Sequence, residues 1–126
     1  MAAIYPEMTL EWEGETYKLR ADYRMIQRIE SNDVSIAGVA SRIMRNEPPF
    51  SHIAFILAYL LRAAGARGVN PDAVYEYILT EASQTELANY GEVICMGFTP
   101  QKKRGSQTSQ KARKKKASGT RTKRKT

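Results

Sequence analysis

Met8, Leu10 and Trp12 alternate with Thr9, Glu11 and Glu13. After Gly14-Glu15 the alternation resumes, with Tyr17 and Leu19 set against Thr16, Lys18 and Arg20. A period of two is the signature of strands with one buried face, so residues 8–21 read as a two-stranded hairpin. Gly14 supplies the backbone freedom the turn needs. An isolated hairpin is marginally stable, so its apolar face must pack against other elements.

From Ala21 the spacing lengthens to that of a helix. Tyr23, Ile26 and Ile29 form a short stripe, and Ser31-Asn32-Asp33 is a turn cluster rich in N-cap residues. Ile36, Val39, Ala40, Ile43 and Met44 then follow i, i+3, i+4, i+7, i+8. Glu47-Pro48-Pro49 stops this second helix, because proline lacks a donor and restricts the residue before it. Ser51 is the expected cap of the next helix. Its stripe is Ile53, Ile56, Leu57, Leu60, Leu61 and Ala64, and Phe55 and Tyr59 give it a second apolar face. A helix apolar on two faces is expected to be the central, most buried one. Gly65 is its C-terminal cap. Asn70-Pro71-Asp72 combines an N-cap, a proline at the first helical position and an acid in the first turn. The helix it opens turns Val74, Ile78 and Ala82 inward, with Tyr75 and Tyr77 flanking them. Ser83 and Glu86 have capping-box spacing and begin a last helix carrying Leu87, Tyr90, Ile94 and Phe98. The pattern predicts an α+β, mainly α domain over residues 1–100: a hairpin followed by four to five short helices.

Composition changes the picture at residue 101. Residues 101–126 contain no Val, Ile, Leu, Met, Phe, Tyr or Trp. With nothing to bury, the segment cannot offset the roughly 1–2 kcal/mol per residue that backbone ordering costs, and it is expected to be a disordered tail. Charge divides at the same point. Residues 1–100 hold all 13 acids against 8 Lys and Arg, a net −5; the remaining 12 Lys and Arg lie in 101–126 with no acid, a net +12. The tail bases form three clusters: Lys102, Lys103 and Arg104; Lys111, Arg113, Lys114, Lys115 and Lys116; and Arg121, Lys123, Arg124 and Lys125. Such a run binds polyanions through counterion release, without reading sequence. It has no aromatic residue, so it lacks the stacking platform of a single-strand binder. An acidic protein surface is the other chemistry it fits.

One cysteine, Cys95, permits no intrachain disulfide. The N-terminus has no basic segment followed by an apolar run, and the apolar stretch Ile53–Leu61 is far short of the roughly 20 residues a membrane-spanning helix needs. These features predict a soluble protein of the cytoplasm, with no membrane partner.

No catalytic constellation is expected. His52, the only histidine, has no nucleophile or orienting acid at a telling distance in the sequence, and an exposed or structural role is expected. Cys95 lies among Val93, Ile94 and Met96 and reads as a small core residue. One Cys and one His fall short of a zinc tetrad, and the acids lack EF-hand spacing, so no metal and no cofactor are expected. Gly65-Ala66-Arg67-Gly68 follows a helix and lacks the P-loop pattern, which leaves a cap and loop. Glu7, Glu11, Glu13 and Glu15 line the polar side of the hairpin, where alternating acids are a solvated face that also guards an edge strand.

The order of elements resembles a family. A hairpin running Met8-Thr-Leu-Glu-Trp-Glu-Gly-Glu-Thr-Tyr-Lys-Leu-Arg20 leads into a helix ending Ile29-Glu30, and a central helix ends Leu61-Arg-Ala-Ala-Gly65. Over residues 7–98 this is similar to the small tail assembly chaperones of long-tailed phages, in the branch found in gene transfer agents and prophages and sometimes labelled tail tube protein. The resemblance implies a non-enzymatic protein of the bacterial host cytoplasm that binds the tape-measure protein and tail-tube subunits during tail assembly. Tyrosines are enriched at interfaces, so Tyr59, Tyr75, Tyr77 and Tyr90 are the expected partner contacts. The alternative is a nucleic-acid-associated protein that binds phosphates through its basic tail.

Overall fold

A computed structural model describes residues 4–100. The expected tail and its 12 bases lie outside the described residues.

The hairpin forms where the alternation places it. Strands β1 (Glu7–Trp12) and β2 (Glu15–Arg20) pair antiparallel, from Glu7 opposite Arg20 to Trp12 opposite Glu15. The turn residues Glu13 and Gly14 both have positive φ, +50° and +83°. That is the backbone of a two-residue type I′ turn, whose twist matches the strands it joins. Met8, Leu10 and Trp12 are all buried, whereas β2 contributes only half-buried Tyr17 and Leu19. Residues Tyr5–Pro100 make one compact unit.

Five helices follow: α1 (Tyr23–Glu30), α2 (Ile36–Met44), α3 (Phe50–Ala63), α4 (Pro71–Thr80) and α5 (Gln84–Gly97). Their starts are written in side chains. The Asp22 carboxylate accepts from the Met25 N–H, Ser35 Oγ from Gly38 and Asn70 Oδ1 from Ala73. Each satisfies an N–H that has no partner within its helix. The cap of α2 is thus Ser35, while Ser31-Asn32-Asp33 forms only the preceding turn, with Asp33 left-handed at φ +63°. Ser51 does not cap α3. The helix begins at Phe50, two residues earlier than a Ser51 cap implies, behind Pro49, whose carbonyl accepts from the His52 and Ile53 N–H groups, and no side chain caps it. Proline supplies a preset φ in place of a capping oxygen.

The helix ends are equally local. After α3, Ala66 N–H bonds to the Leu61 carbonyl and Gly65 N–H to that of Arg62. This is a Schellman closure, and Gly65 meets its left-handed requirement at φ +109°. Asn46 (φ +65°) performs the same closure after α2, where Glu47 and Asn46 N–H groups bond to the Arg42 and Ile43 carbonyls.

α3 is the central element. Seven of its 14 residues are buried, and it packs against α4, α5 and β2. α5 packs against α2 and β1. The largest fully buried side chains are Leu10, Ile29, Ile56, Leu57, Leu60, Val74 and Ile94, so the core gathers residues from β1 and four of the helices. Two residues assigned to inner stripes lie outside. Tyr23 is 69% exposed and Met44 73% exposed, at the first turn of α1 and the last residue of α2. No helix among the described residues is long and apolar enough to cross a membrane.

Candidate functional site

The four tyrosines expected at a partner surface separate by burial. Tyr75 is exposed on α4. Tyr59 and Tyr77 are half-buried against the core. Tyr90 is only 5% exposed. Its ring belongs to the interior of the α5 packing and offers a partner almost no surface, so the expectation for that residue is corrected. Burial also pushes its hydroxyl above the ordinary tyrosine range. The tail bases Lys102 to Lys125 lie outside the described residues.

What the sequence did not mark is Leu79. It is 50% exposed on α4, one turn beyond Tyr75, which is 40% exposed. The spacing i, i+4 puts both side chains on one flank of the helix, beside the buried Val74 and Ile78. The inward stripe was legible as Val74, Ile78 and Ala82; the signal for a second apolar face was the Tyr75–Leu79 pair itself.

Tyr77 faces the other way. Its ring meets Trp12 edge-on, with centroids 5.4 Å apart and planes at 69°. Its hydroxyl donates to Glu86 Oε2 at 2.6 Å. The other carboxylate oxygen, Oε1, accepts from the Ser83 N–H at 2.9 Å, and Ser83 Oγ accepts from the Glu86 N–H at 3.1 Å. One carboxylate therefore closes the capping box of α5 and ties α5 to α4. The Tyr77 hydroxyl holds the Glu86 carboxyl below its ordinary 4.5, helped by the Ser83 N–H. In return the hydrogen bond to Glu86, then burial, push Tyr77 from 10.0 up to about 12.

The signs of the two shifts give a pH prediction. A lowered carboxyl contributes stability that is present above pH 4.5 and lost as pH falls through its folded value; a raised phenol contributes stability that is present below pH 10 and lost as pH rises through about 12. Tyr77→Phe is expected to cost about 1 kcal/mol at neutral pH, the worth of one hydrogen bond. It should also flatten part of the stability loss between pH 10 and 12. Thermal melts across pH check this, and an unchanged alkaline limb would remove the bond from the account.

Trp12, Tyr77 and Glu86 line a groove of about 440 Å³ between the hairpin turn and the α4–α5 corner. Trp12 and Tyr77 lie on its aromatic side, and Glu11, Glu13, Glu76, Glu81 and Glu86 supply every charge that lines it. Among the described residues, no group of His, Cys, Asp and Glu converges closely enough to hold a metal ion. The remaining sequence candidates are dispersed. His52 is exposed, as are Glu7, Glu11, Glu13 and Glu15. Cys95 is half-buried at the α2–α5 contact with its Sγ 3.7 Å from the Ala40 carbonyl, and burial raises its thiol pKa. A raised pKa is the reverse of what a nucleophilic thiolate requires.

Comparison of the chain with family models, with curated proteins and with solved structures yields no match.

Proposed function

We propose that this chain is a non-catalytic binding protein of the phage and prophage tail assembly chaperone kind, engaging the tape-measure protein and tail-tube subunits in the host cytoplasm. The observation that carries the reading is the apolar pair Tyr75 and Leu79, exposed one turn apart on α4, whereas the other exposed large apolar residues, Ile4, Tyr23, Met44 and Met96, stand singly on separate segments. Exposed apolar side chains on one helix flank mark sites where another macromolecule docks. A long helical partner with an apolar stripe is the complement such a flank accepts. The element order, one hairpin followed by five helices, agrees with the order on which the resemblance rests. The test is a titration of the full chain with a tape-measure protein of a long-tailed phage. A saturable complex is expected, and a folded sample that forms none ends this reading.

A second reading rests on the 12 Lys and Arg without a single acid in residues 101–126. A segment of that composition binds duplex nucleic acid regardless of sequence. If six of its charges neutralise phosphates, log K falls with log salt at a slope of about −5, and affinity drops by roughly 10³ between 50 and 200 mM salt. Deleting residues 101–126 is expected to abolish the binding. A full chain that binds no DNA or RNA at low salt excludes this reading.

A further inference from the structure

The geometry points to a second docking site: the groove between the hairpin turn and the α4–α5 corner receives an extended Lys/Arg-bearing segment of a partner polypeptide. Neither Tyr75 nor Leu79 lines this groove, so the site is separate from the apolar flank of α4.

The shape comes first. At about 440 Å³ the groove falls within the range of ligand-binding clefts. A helix about 10 Å across would fill it with roughly one turn, so it suits the side chains of an extended strand better than the length of a helix. A smaller cleft of about 250 Å³ shares Glu11 and Glu86 with it and runs along Thr9, Asn89 and Tyr90. The two together form a path along the outer edge of β1. That edge is identified by the register. Trp12 opposite Glu15 closes the two-residue turn, so Met8, Leu10 and Trp12 aim their backbone groups at β2, and Thr9 and Glu11 aim theirs outward. The Thr9 carbonyl is already taken by Asn89 Nδ2 of α5 at 3.3 Å, so the open part of that edge lies at Glu11, next to the groove.

Chemistry selects the occupant. All the charge on the groove is carboxylate, and the one ion pair among the described residues, Arg45 with Glu47, lies elsewhere. Glu86 is engaged by Tyr77 and Ser83. Glu11, Glu13, Glu76 and Glu81 are exposed around the rim. They are spread out and do not converge, so a metal ion is a poor complement and a row of organic cations a good one. The aromatic side of the groove adds a second match. Lys and Arg carry apolar stems that pack on aromatic surface and cationic heads that are attracted to ring faces. Half-buried Tyr77 supplies most of that surface among the carboxylates, and Trp12, 9% exposed, adds a small part of it.

Trp12 is the only tryptophan, so its emission reports on the groove without labelling. The full chain is titrated at low salt with a short synthetic peptide alternating lysine with serine, and with its counterpart carrying glutamine at every lysine position. A saturable change in Trp12 emission is expected with the lysine peptide alone. Glu76→Gln with Glu81→Gln should raise its Kd about five-fold, the effect of losing two partly screened charge contacts. Glu92→Gln, an exposed change on α5 away from the groove, should leave Kd unchanged. Should the double variant lose its fold by circular dichroism, Glu11→Gln takes its place. No response, an equal response to the glutamine peptide, or an equal loss in Glu92→Gln would each overturn the proposal.

Discussion

Leu60→Ala is expected to destabilise the domain by about 2–5 kcal/mol, the range for deleting a buried leucine where the surroundings collapse only partly. Leu60 is wholly inaccessible in the C-terminal half of α3, the helix that packs against α4, α5 and β2. The cavity would therefore open in the middle of the core, where no single neighbour can move to fill it. Domains of this size have about 5–15 kcal/mol of stability in total, so the change removes a large share of it. At about 4–8 °C per kcal/mol the melting temperature should fall by about 8 °C or more. Chemical denaturation measures the loss directly. A cost below about 1 kcal/mol would mean that α3 is not the central packing element.

The second large effect concerns binding. On the proposed function, Tyr75→Ala combined with Leu79→Ala is expected to weaken binding to a tape-measure protein by about 30-fold or more, the size of effect seen when an interface hot spot worth about 2 kcal/mol or more is truncated. Both side chains are substantially exposed, so the same double variant should change stability by no more than about 0.5 kcal/mol per site. The pair of measurements separates contact from fold. Leu60→Ala lowers stability, and Tyr75→Ala/Leu79→Ala lowers affinity with the melting curve in place. Unchanged affinity in the double variant would move the partner surface away from this flank of α4. The groove site would be untouched, because its rim and floor come from other residues.

Cys95 and His52 bear on what the domain is built to do. Among the described residues neither has a partner that would make it reactive: Cys95 rests against a backbone carbonyl with a raised pKa, and His52 is exposed in the first turn of α3. The titratable pair with the most distinct environment is Tyr77 with Glu86, and its hydrogen bonds close a helix cap and join two helices. That is a structural use of a perturbed carboxylate, and such uses are one reason a shifted pKa alone does not mark a catalytic site.

Local rules were enough to set the elements. The switch from period two to a helical period, the Asn70-Pro71-Asp72 start, the Ser83–Glu86 box and the Gly65 closure are each decided within about five residues of chain, and all four appear where the sequence puts them. The density of apolar residues on α3 likewise marked the central helix, because a helix apolar on two faces has nowhere to lie except inside. Periodicity was less secure at the helix ends. Each i+3 step falls about 60° short of a full turn, so Tyr23 lies roughly 120° around α1 from Ile29 and faces solvent at the helix start. Met44 fails for a related reason, on the last residue of α2 and off the line through Ile36 and Val39.

The tertiary structure alone decided which side chains remain available. Tyr75 and Tyr90 were both expected at the partner surface, yet one is exposed and the other buried. A residue's place along a helix fixes its direction, whereas its burial depends on whether another element lies in that direction. The groove makes the same point: Trp12 comes from the hairpin, Tyr77 from α4 and Glu86 from α5, and no spacing rule connects positions so far apart in the chain. Sequence set the charge of each segment and the identity of each element, because those follow from composition and short-range hydrogen bonding. Which carboxylates share a cleft, and which apolar residues face outward, follows from packing between elements that meet only after the chain has folded.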